Sequence, residues 1–176
     1  IDTVSPARAR VGISLFFFTN GAIFANMLPR YPEIKTAFGL SNTAFGIMVA
    51  MFPLAAVLAS ALPAPLIRRF GAQTVSLVGT IVLAVALGLA GFAPHVALFA
   101  LALFVGGFTD SIVDAAQNVH GLRVEDAGGR TIINSLHALW SLGATLGGAA
   151  GAWAASVGVP LGWHLVTAGA VGVGLA

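Results

Sequence analysis

The sequence predicts an all-α membrane protein with six transmembrane helices, and three observations support this fold class. Of its 176 residues, 58% are hydrophobic and only 8% are charged, whereas soluble domains carry about 25% charged residues. The apolar residues form six runs, each close to the roughly 20 residues that span a bilayer as a helix. Glycine occurs 22 times, as is typical of helices that approach one another closely in lipid.

The first three predicted helices are bounded by prolines, a capping residue and a basic turn. They cover residues 9–28, 43–67 and 73–92. Pro29 and Pro32 predict that the first helix ends at the polar segment that contains them, because proline cannot donate a backbone hydrogen bond. Ser41 or Asn42 is expected to cap the second helix. Pro53 inside that helix is tolerable in a membrane, where neighbouring helices accommodate kinks.

The last three predicted helices cover residues 96–119, 131–157 and 160–176. The longest polar connection of the chain, residues 120–130, separates the fourth helix from the fifth. The sixth helix is short for a membrane span and is still apolar at Ala176. We therefore expect the natural chain to continue beyond this residue.

The distribution of positive charges predicts the orientation in the membrane. With alternating spans and a cytoplasmic N-terminus, the inner segments hold six arginines, Arg8, Arg10, Arg68, Arg69, Arg123 and Arg130. The outer segments then hold only Arg30 and Lys35, which agrees with the excess of basic residues in cytoplasmic loops. We place the N-terminus in the cytoplasm and the end of the sixth helix outside.

Several other classes of function require residues that the sequence does not contain. The chain has no cysteine, which excludes disulfides and thiolate ligands, and we expect neither a metal nor a cofactor. The net charge of +2 is small and scattered, so we expect no nucleic acid partner. No Gly-x-Ser-x-Gly or His-Glu-x-x-His pattern occurs, so we expect no enzyme. Gly143, Gly147 and Gly151 recur every four residues and predict a helix-packing face, not a phosphate loop.

Acidic and amide side chains form one polar stripe in the fourth predicted helix. Asp110, Asp114 and Asn118 are spaced at i, i+4 and i+8, so they stack on one helix face, and Gln117 lies beside them. An aspartate at the middle of a membrane costs about 2.5–3.5 kcal/mol. Because such residues persist where they face a bundle interior or a water-filled path, the stripe indicates the chemical centre of a membrane transporter.

Two groups of motifs resemble a known family. The first group consists of Phe16-Phe17-Phe18-Thr19-Asn20-Gly21, Arg30-x-Pro32-Glu33-x-Lys35 and Gly39-Leu40-Ser41. The second consists of Asp114-x-x-x-Asn118-x-x-Gly121-x-x-x-Glu125 and Ser135-Leu136-His137-x-x-Trp140-Ser141-x-Gly143. Together they resemble permeases of the major facilitator superfamily, and the second group is similar to a bacterial branch related to fucose–proton symporters. The resemblance implies two parallel six-helix halves, of which this chain is the N-terminal one, with the C-terminal half absent.

The resemblance also implies where protons are coupled. Asp114 stands four residues before Asn118, at the position that carries the coupling proton in the fucose-symporter group. Asp110 is the second candidate, and His137 lies at a similar predicted depth to Asp114, which suggests a pair or a proton relay. In the alternative interpretation, the two aspartates only bind neighbouring helices.

The solute-binding and gating residues follow from the same comparison. Helices 1 and 4 line the central cavity of the family, so we expect Asn20, Asn26, Gln117 and Asn118 to bind solute hydroxyls. The alternative for the asparagines is an interhelical hydrogen bond. We assign gating to the cytoplasmic charges Arg68, Arg69, Arg123, Glu125 and Arg130. The family places an acid where this chain has Arg68, which weakens the gating assignment for that loop.

The sequence thus predicts a secondary active transporter in the bacterial inner membrane. It moves a small polar solute such as a sugar by alternating access, coupled to protons. Its expected partners are the solute, protons, the lipid bilayer and the missing C-terminal half. A six-helix channel, a homodimeric half-transporter and a non-transporting membrane sensor or scaffold remain as alternatives.

Overall fold

The computed structural model describes residues 5–176, and within this range every regular element is a helix. The helices are α1 (Pro6–Ala25), α2 (Tyr31–Ala37), α3 (Asn42–Ala59), α4 (Pro63–Phe70), α5 (Ala72–Ala90), α6 (Val96–Gly128), α7 (Ile133–Ser156) and α8 (Leu161–Leu175). A short 3-10 turn, Leu28–Arg30, connects α1 to α2. The all-α prediction is therefore confirmed for the described residues.

Four helical segments of the described chain are long and apolar enough to cross a membrane. They are Ala7–Ala37, Asn42–Ala59, Ala72–Ala90 and Val96–Gly128. The two remaining long helices are not among these four segments. The apolar helix α8 is shorter than they are, and α7 has polar side chains, an asparagine and a histidine, in its first turns. The structure thus supports a multi-pass membrane protein, and the count of six spans remains a prediction.

The predicted second helix is in fact two helices. Ser41 is the N-cap of α3, and its Oγ accepts a hydrogen bond of 3.2 Å from the Ala44 amide. The predicted cap is therefore confirmed. Pro53 lies inside α3 as expected. However, α3 ends at Ala59 and α4 starts at Pro63, so the continuous helix predicted over residues 43–67 is wrong. Proline is favoured in a first helical turn, where no backbone donor is lost.

The segment that follows α1 also differs from the prediction. Its prolines do not break helical structure, because Pro29 lies in the first turn of the 3-10 helix and Pro32 in the first turn of α2. Neither proline removes a hydrogen bond that these short helices need. The first helix ends before this segment, as predicted, although at Ala25 and not at residue 28. The segment itself is helical and carries Arg30 back against the bundle.

The α6 helix extends beyond its predicted end at residue 119. It continues to Gly128 and is terminated by Gly129, whose φ of +62° lies in the left-handed region that favours glycine. Only residues 129–132 connect α6 to α7. The long polar connection predicted there is wrong, and Arg123 and Glu125 lie on the last turns of a helix.

The α1 and α7 helices pack side by side through glycines. A Cβ atom at Gly143, Gly147 or Gly151 would overlap a main-chain carbonyl of α1, those of Phe18, Ala22 and Asn26 respectively. Residue numbers rise together along both helices, so they run in parallel. The predicted packing face of small residues is confirmed.

The beginning of α1 and the end of α8 lie at the same end of the bundle. Ala9 and Ala176 both pack against a buried cluster that includes Ile13, Phe17 and Leu136. The expectation that the sixth predicted helix ends on the opposite side is therefore wrong. An even number of alternating crossings returns the chain to the side on which it began.

Candidate functional site

Asn20 joins three helices through its amide group. Its Nδ2 donates a hydrogen bond of 2.9 Å to Asp110 Oδ1 on α6, and its Oδ1 accepts one of 2.8 Å from Trp140 Nε1 on α7. The indole N–H can only donate, so the amide oxygen must face Trp140 and the amide nitrogen must face Asp110. Asn20 is 4% exposed, and its amide forms the interhelical hydrogen bond that was the alternative to solute binding.

A glycine in the same turn of α1 makes this arrangement possible. A Cβ atom at Gly21 would overlap the Trp140 carbonyl, so only glycine allows α1 and α7 to approach this closely. The approach brings the indole of Trp140 within reach of Asn20. The sequence did not decide between an interfacial and a cavity position for Trp140, because this contact joins positions that are distant in the chain.

Asp114 has a different environment from Asp110. Asn118 Nδ2 donates to Asp114 Oδ1 at 3.3 Å and to the Asp114 carbonyl at 2.9 Å, so both contacts stay within α6. Asp114 is exposed on the surface of the chain, whereas Asp110 is partly buried. The Asp110 carboxylate is therefore bound by a residue of another helix, whereas the Asp114 carboxylate is exposed and, among the described residues, accepts a hydrogen bond only from its own helix.

His137 lies near this pair but forms no hydrogen bond with either aspartate among the described residues. Its ring packs edge-to-face with Phe17, with 5.3 Å between ring centroids. The side chain is exposed. The predicted Asp114–His137 relay remains a prediction.

Gln117 is buried within the bundle, whereas Asp114 is exposed. It is 1% exposed, and its Nε2 atom has no hydrogen-bond acceptor among the described residues. Two hydroxyls of α5, Ser76 Oγ and Thr80 Oγ1, are also buried without a partner there. The solute-binding role predicted for Gln117 has no contact that supports it.

Asn26 belongs to a second polar cluster, at the far end of α1. Its Nδ2 donates to the Ala22 carbonyl at 2.8 Å, and its Oδ1 faces His164 Nε2 at 3.0 Å. On the other side of the imidazole, Arg30 Nη1 lies 3.4 Å from His164 Nδ1. This placement separates Asn26 from the Asp110 cluster, so its predicted role in solute binding remains untested.

Arg30 is the centre of this second cluster and is 1% exposed. It donates to both carboxylate oxygens of Glu33, at 2.7 and 3.1 Å, and to the Val159 carbonyl at 2.8 Å. Because a guanidinium only donates, His164 Nδ1 must accept and His164 Nε2 must donate to Asn26. The geometry thus selects the neutral imidazole with its proton on Nε2.

Sequence reasoning missed this cluster and assigned Arg30 to an exposed loop. One signal was available, because Arg30 and Glu33 are opposite charges at i and i+3, the spacing of neighbours on a helix. The assumption that the prolines break the helix removed that signal. His164 could not have been paired with Arg30 from its position in the chain.

The residues assigned to gating do not form a single cluster. Glu125 Oε2 accepts hydrogen bonds from the Ile132 and Ile133 amides at 2.7 and 2.9 Å, so this carboxylate anchors the beginning of α7. Arg68 and Arg69 lie in the last turn of α4, and the guanidinium of Arg69 lies 5.2 Å from the ring centroid of Phe70. Arg123 and Arg130 line two separate cavities.

Comparisons with known proteins identify the family. A model of the Major Facilitator Superfamily matches residues 13–176. The chain is 32% identical over 162 residues to an uncharacterized transporter, y4wD, of Sinorhizobium fredii, which covers 92% of this chain and 43% of that protein. It is 31% identical over 147 residues to an uncharacterized MFS-type transporter, YPO1221/y2967, of Yersinia pestis. The matched region is 83% of this chain and 38% of that protein. No solved structure gives a significant match.

The chain spans about two fifths of the length of these curated relatives. The family match begins within α1 and includes every later helix of the described structure. The apolar helices, the glycine contacts between α1 and α7, and the family match agree with one another. The chain belongs to the Major Facilitator Superfamily.

Proposed function

We propose that the protein is a proton-coupled secondary transporter that moves a small polar solute, such as a sugar, by alternating access. One observation carries the proposal. The α6 helix holds one aspartate fixed by Asn20 and, one turn further along, a second aspartate with an open carboxylate. A membrane helix retains two such carboxylates where they serve a transport path. The similarity of the α6 and α7 motifs to the fucose–proton symporter branch supports the same function.

Asp114 is the proposed proton carrier in this arrangement. Its carboxylate is exposed to the open face of the chain, where it can bind and release a proton without breaking an interhelical bond. His137 is the proposed relay partner, because an imidazole is the side chain best suited to take up and release protons near neutral pH. Asp110 is proposed to keep the path polar while its hydrogen bond to Asn20 holds α1 and α6 in register.

The solute site is proposed to lie on the open face of α6 and α7. Trp140 is 39% exposed and offers an apolar ring to the C–H face of a sugar, while Asp114 and Asn118 offer acceptors and a donor to its hydroxyls. Asn20 contributes by orienting Trp140 and Asp110. Asn26 and Gln117 remain weaker candidates, because their side chains are buried in other interfaces.

The remaining elements of the proposal concern orientation and gating. The N-terminus is cytoplasmic, and the arginine-rich end of the bundle then faces the cytoplasm of a bacterial cell. Arg68, Arg69, Arg123, Glu125 and Arg130 contribute to closing that end. Six transmembrane helices form an N-terminal half, and a C-terminal half completes the transport path.

The test uses the full-length protein in proteoliposomes that contain a pH-sensitive dye. Sugars and amines are added outside, and solute-driven proton movement is recorded for the wild type, Asp114→Asn and Asp126→Asn. Asp126→Asn is the matched control, because it makes the same chemical change at an exposed position of the same helix, where, within residues 5–176, only the main-chain carbonyl of Asp126 accepts a hydrogen bond, from Gly129. We expect proton movement to be lost in Asp114→Asn and retained in the control.

Other results separate the parts of the proposal. Unchanged proton movement in Asp114→Asn would exclude this residue as the carrier. Uptake of a solute without any proton signal would leave a uniporter with aspartates as binding groups. If no solute in either class is taken up by the wild type, the proposed solute class is wrong.

A further inference from the structure

A cavity of about 610 Å³ opens at the end of the bundle where α1 begins. It lies between the first turns of α1, the beginning of α5 and the last turns of α6, and Ala176 at the end of α8 forms part of its wall. Arg8, His120 and Arg123 contribute its ionisable side chains. Its volume falls within the range of sites that bind small molecules. The candidate functional site of Asp110 and Asp114 does not include any of these residues.

The walls of the cavity combine positive charge, hydrogen-bond donors and apolar surface. Gln73 and Thr74 line the cavity and belong to the first turn of α5. The N-cap residue of this helix is Gly71, so no side chain caps its first amide groups. The free amide groups of such a turn attract anions. Ile13 and Phe16 supply an apolar wall on the side of α1. The lining therefore suits a ligand with an anionic part and an apolar part.

The positive charge of this end is not neutralised within residues 5–176. Arg8 and Arg123 have no acidic partner in that range, where the single ion pair joins Arg30 and Glu33 far from the cavity. Glu125, the nearest acid in sequence to Arg123, is bound to two α7 amides. A second cavity of about 220 Å³ adjoins the first at Val124 and adds Arg10 and Arg130.

We propose that the 610 Å³ cavity binds the phosphate group of an anionic membrane lipid. The arginines and the first turn of α5 hold the phosphate, and the apolar wall receives the upper part of an acyl chain. Basic pockets between transmembrane helices are typical sites for anionic head groups. The surface on either side supports a lipid over a free anion, since Val11 is 59% exposed and Leu122 is 47% exposed next to cavity residues.

The bound lipid would contact three helices that already pack against one another at this end. It bridges the beginning of α1, the beginning of α5 and the end of α6, which meet at the cavity. With the orientation that the arginines predict, the lipid comes from the cytoplasmic leaflet, which is the negatively charged one. The inference does not depend on which solute is transported or on proton coupling.

The experiment measures lipid binding to the full-length protein in detergent by native mass spectrometry. Phosphatidylglycerol, phosphatidylcholine of the same chain length and inorganic phosphate are the three probes. We expect phosphatidylglycerol to bind more tightly than phosphatidylcholine, by about tenfold, and inorganic phosphate at the same concentration not to displace it. The lipid arm and the phosphate arm thus distinguish the two sources of the anion.

Two variants test the location of the site. The double variant Arg8→Gln/Arg123→Gln removes both charges, and the preference for phosphatidylglycerol should fall from about tenfold to about onefold, since two arginines near an anionic surface contribute at least as much as a tenfold preference requires. Gly12→Leu keeps all charges but fills the cavity, because a Cβ at Gly12 meets no atom within 4 Å. Arg68→Gln is the matched control, since it removes an exposed arginine that does not line the cavity.

Several outcomes would overturn the proposal. Equal binding of the two lipids would exclude an anionic lipid site, and displacement of phosphatidylglycerol by inorganic phosphate would assign the cavity to a free anion. Loss of preference in Arg68→Gln as large as in the double variant would indicate a diffuse surface effect. If the double variant does not fold, Gly12→Leu decides, because retained preference in that variant would place the lipid elsewhere.

Discussion

Asn20 Nδ2 donates a hydrogen bond of 2.9 Å to Asp110 Oδ1 and so ties α1 to α6 in the membrane-spanning part of the chain. Oδ1 of the same amide accepts a hydrogen bond from Trp140 Nε1, so the contact also includes α7. A single asparagine thus links three helices. Asp114 lies one turn further along α6 and takes no part in this contact, and its carboxylate is exposed.

We predict that Asn20→Leu destabilises the folded protein by about 1–2 kcal/mol, because it leaves a carboxylate and an indole N–H without a partner. Trp140→Phe should cost less, since it removes one donor and keeps most of the ring. Thermal unfolding of the purified full-length protein measures both effects. A stability for Asn20→Leu equal to that of the wild type would show that Asn20 does not join the helices.

We predict that Gly147→Ala separates α1 from α7 and lowers stability by about 1–3 kcal/mol. The added Cβ would overlap the backbone of Ala22, which cannot turn away as a flexible side chain could. Gly148→Ala is the matched control on the same helix, because its Cβ meets only the Ala25 carbonyl at 4.0 Å. Thermal unfolding and the yield of folded protein report the difference. Equal losses in the two variants would contradict the close contact at Gly147.

We predict that Arg30 and His164 are energetically coupled. Arg30→Met leaves the His164 imidazole and the Val159 carbonyl without their donor, and His164→Phe removes the acceptor. A double-mutant cycle on thermal stability should give a coupling free energy of about 0.5–3 kcal/mol. Additive effects of the two substitutions would show that the 3.4 Å contact between them contributes nothing to stability.

We predict that Glu125→Ala loosens the beginning of α7. The variant removes the acceptor of two amide hydrogen bonds in a helical first turn, a loss of about 0.5–2 kcal/mol by analogy with helix caps. Hydrogen exchange at Ile132 and Ile133 should increase, while Asp126→Asn leaves it unchanged. Protection in Glu125→Ala equal to that of the wild type would mean that the carboxylate is not the anchor.

Much of the fold followed from features that are local in the sequence. Apolar runs located the helices, the Ser41 hydroxyl identified the beginning of α3, and the glycines of α7 identified its packing face. The prolines correctly marked the end of the first helix, but the helices that have Pro29, Pro32 and Pro63 in their first turns were not predicted, because proline also fits the first turn of a helix. The end of α6 was misread as well, since charged residues on a helix that leaves the membrane have the composition of a loop.

The candidate site was only partly accessible from the sequence. The spacing of Asp110 and Asp114 placed both on one helix face, and the resemblance, in which helices 1 and 4 line one cavity, suggested that Asn20 lies near them. Their unequal environments depend on which helix faces each carboxylate, and no local pattern contains that information. The contact of Arg30 with His164 joins residues 134 positions apart, so it follows from the tertiary packing alone.

Ala9 and Ala176 pack against the same buried cluster, and this has a consequence for how such a bundle can be duplicated within one protein. A helical unit whose entry and exit lie at one face can be copied head to tail without turning the copy over. The second copy then inserts with the same orientation as the first, and the two units are related by an axis along the membrane normal, as in parallel repeats.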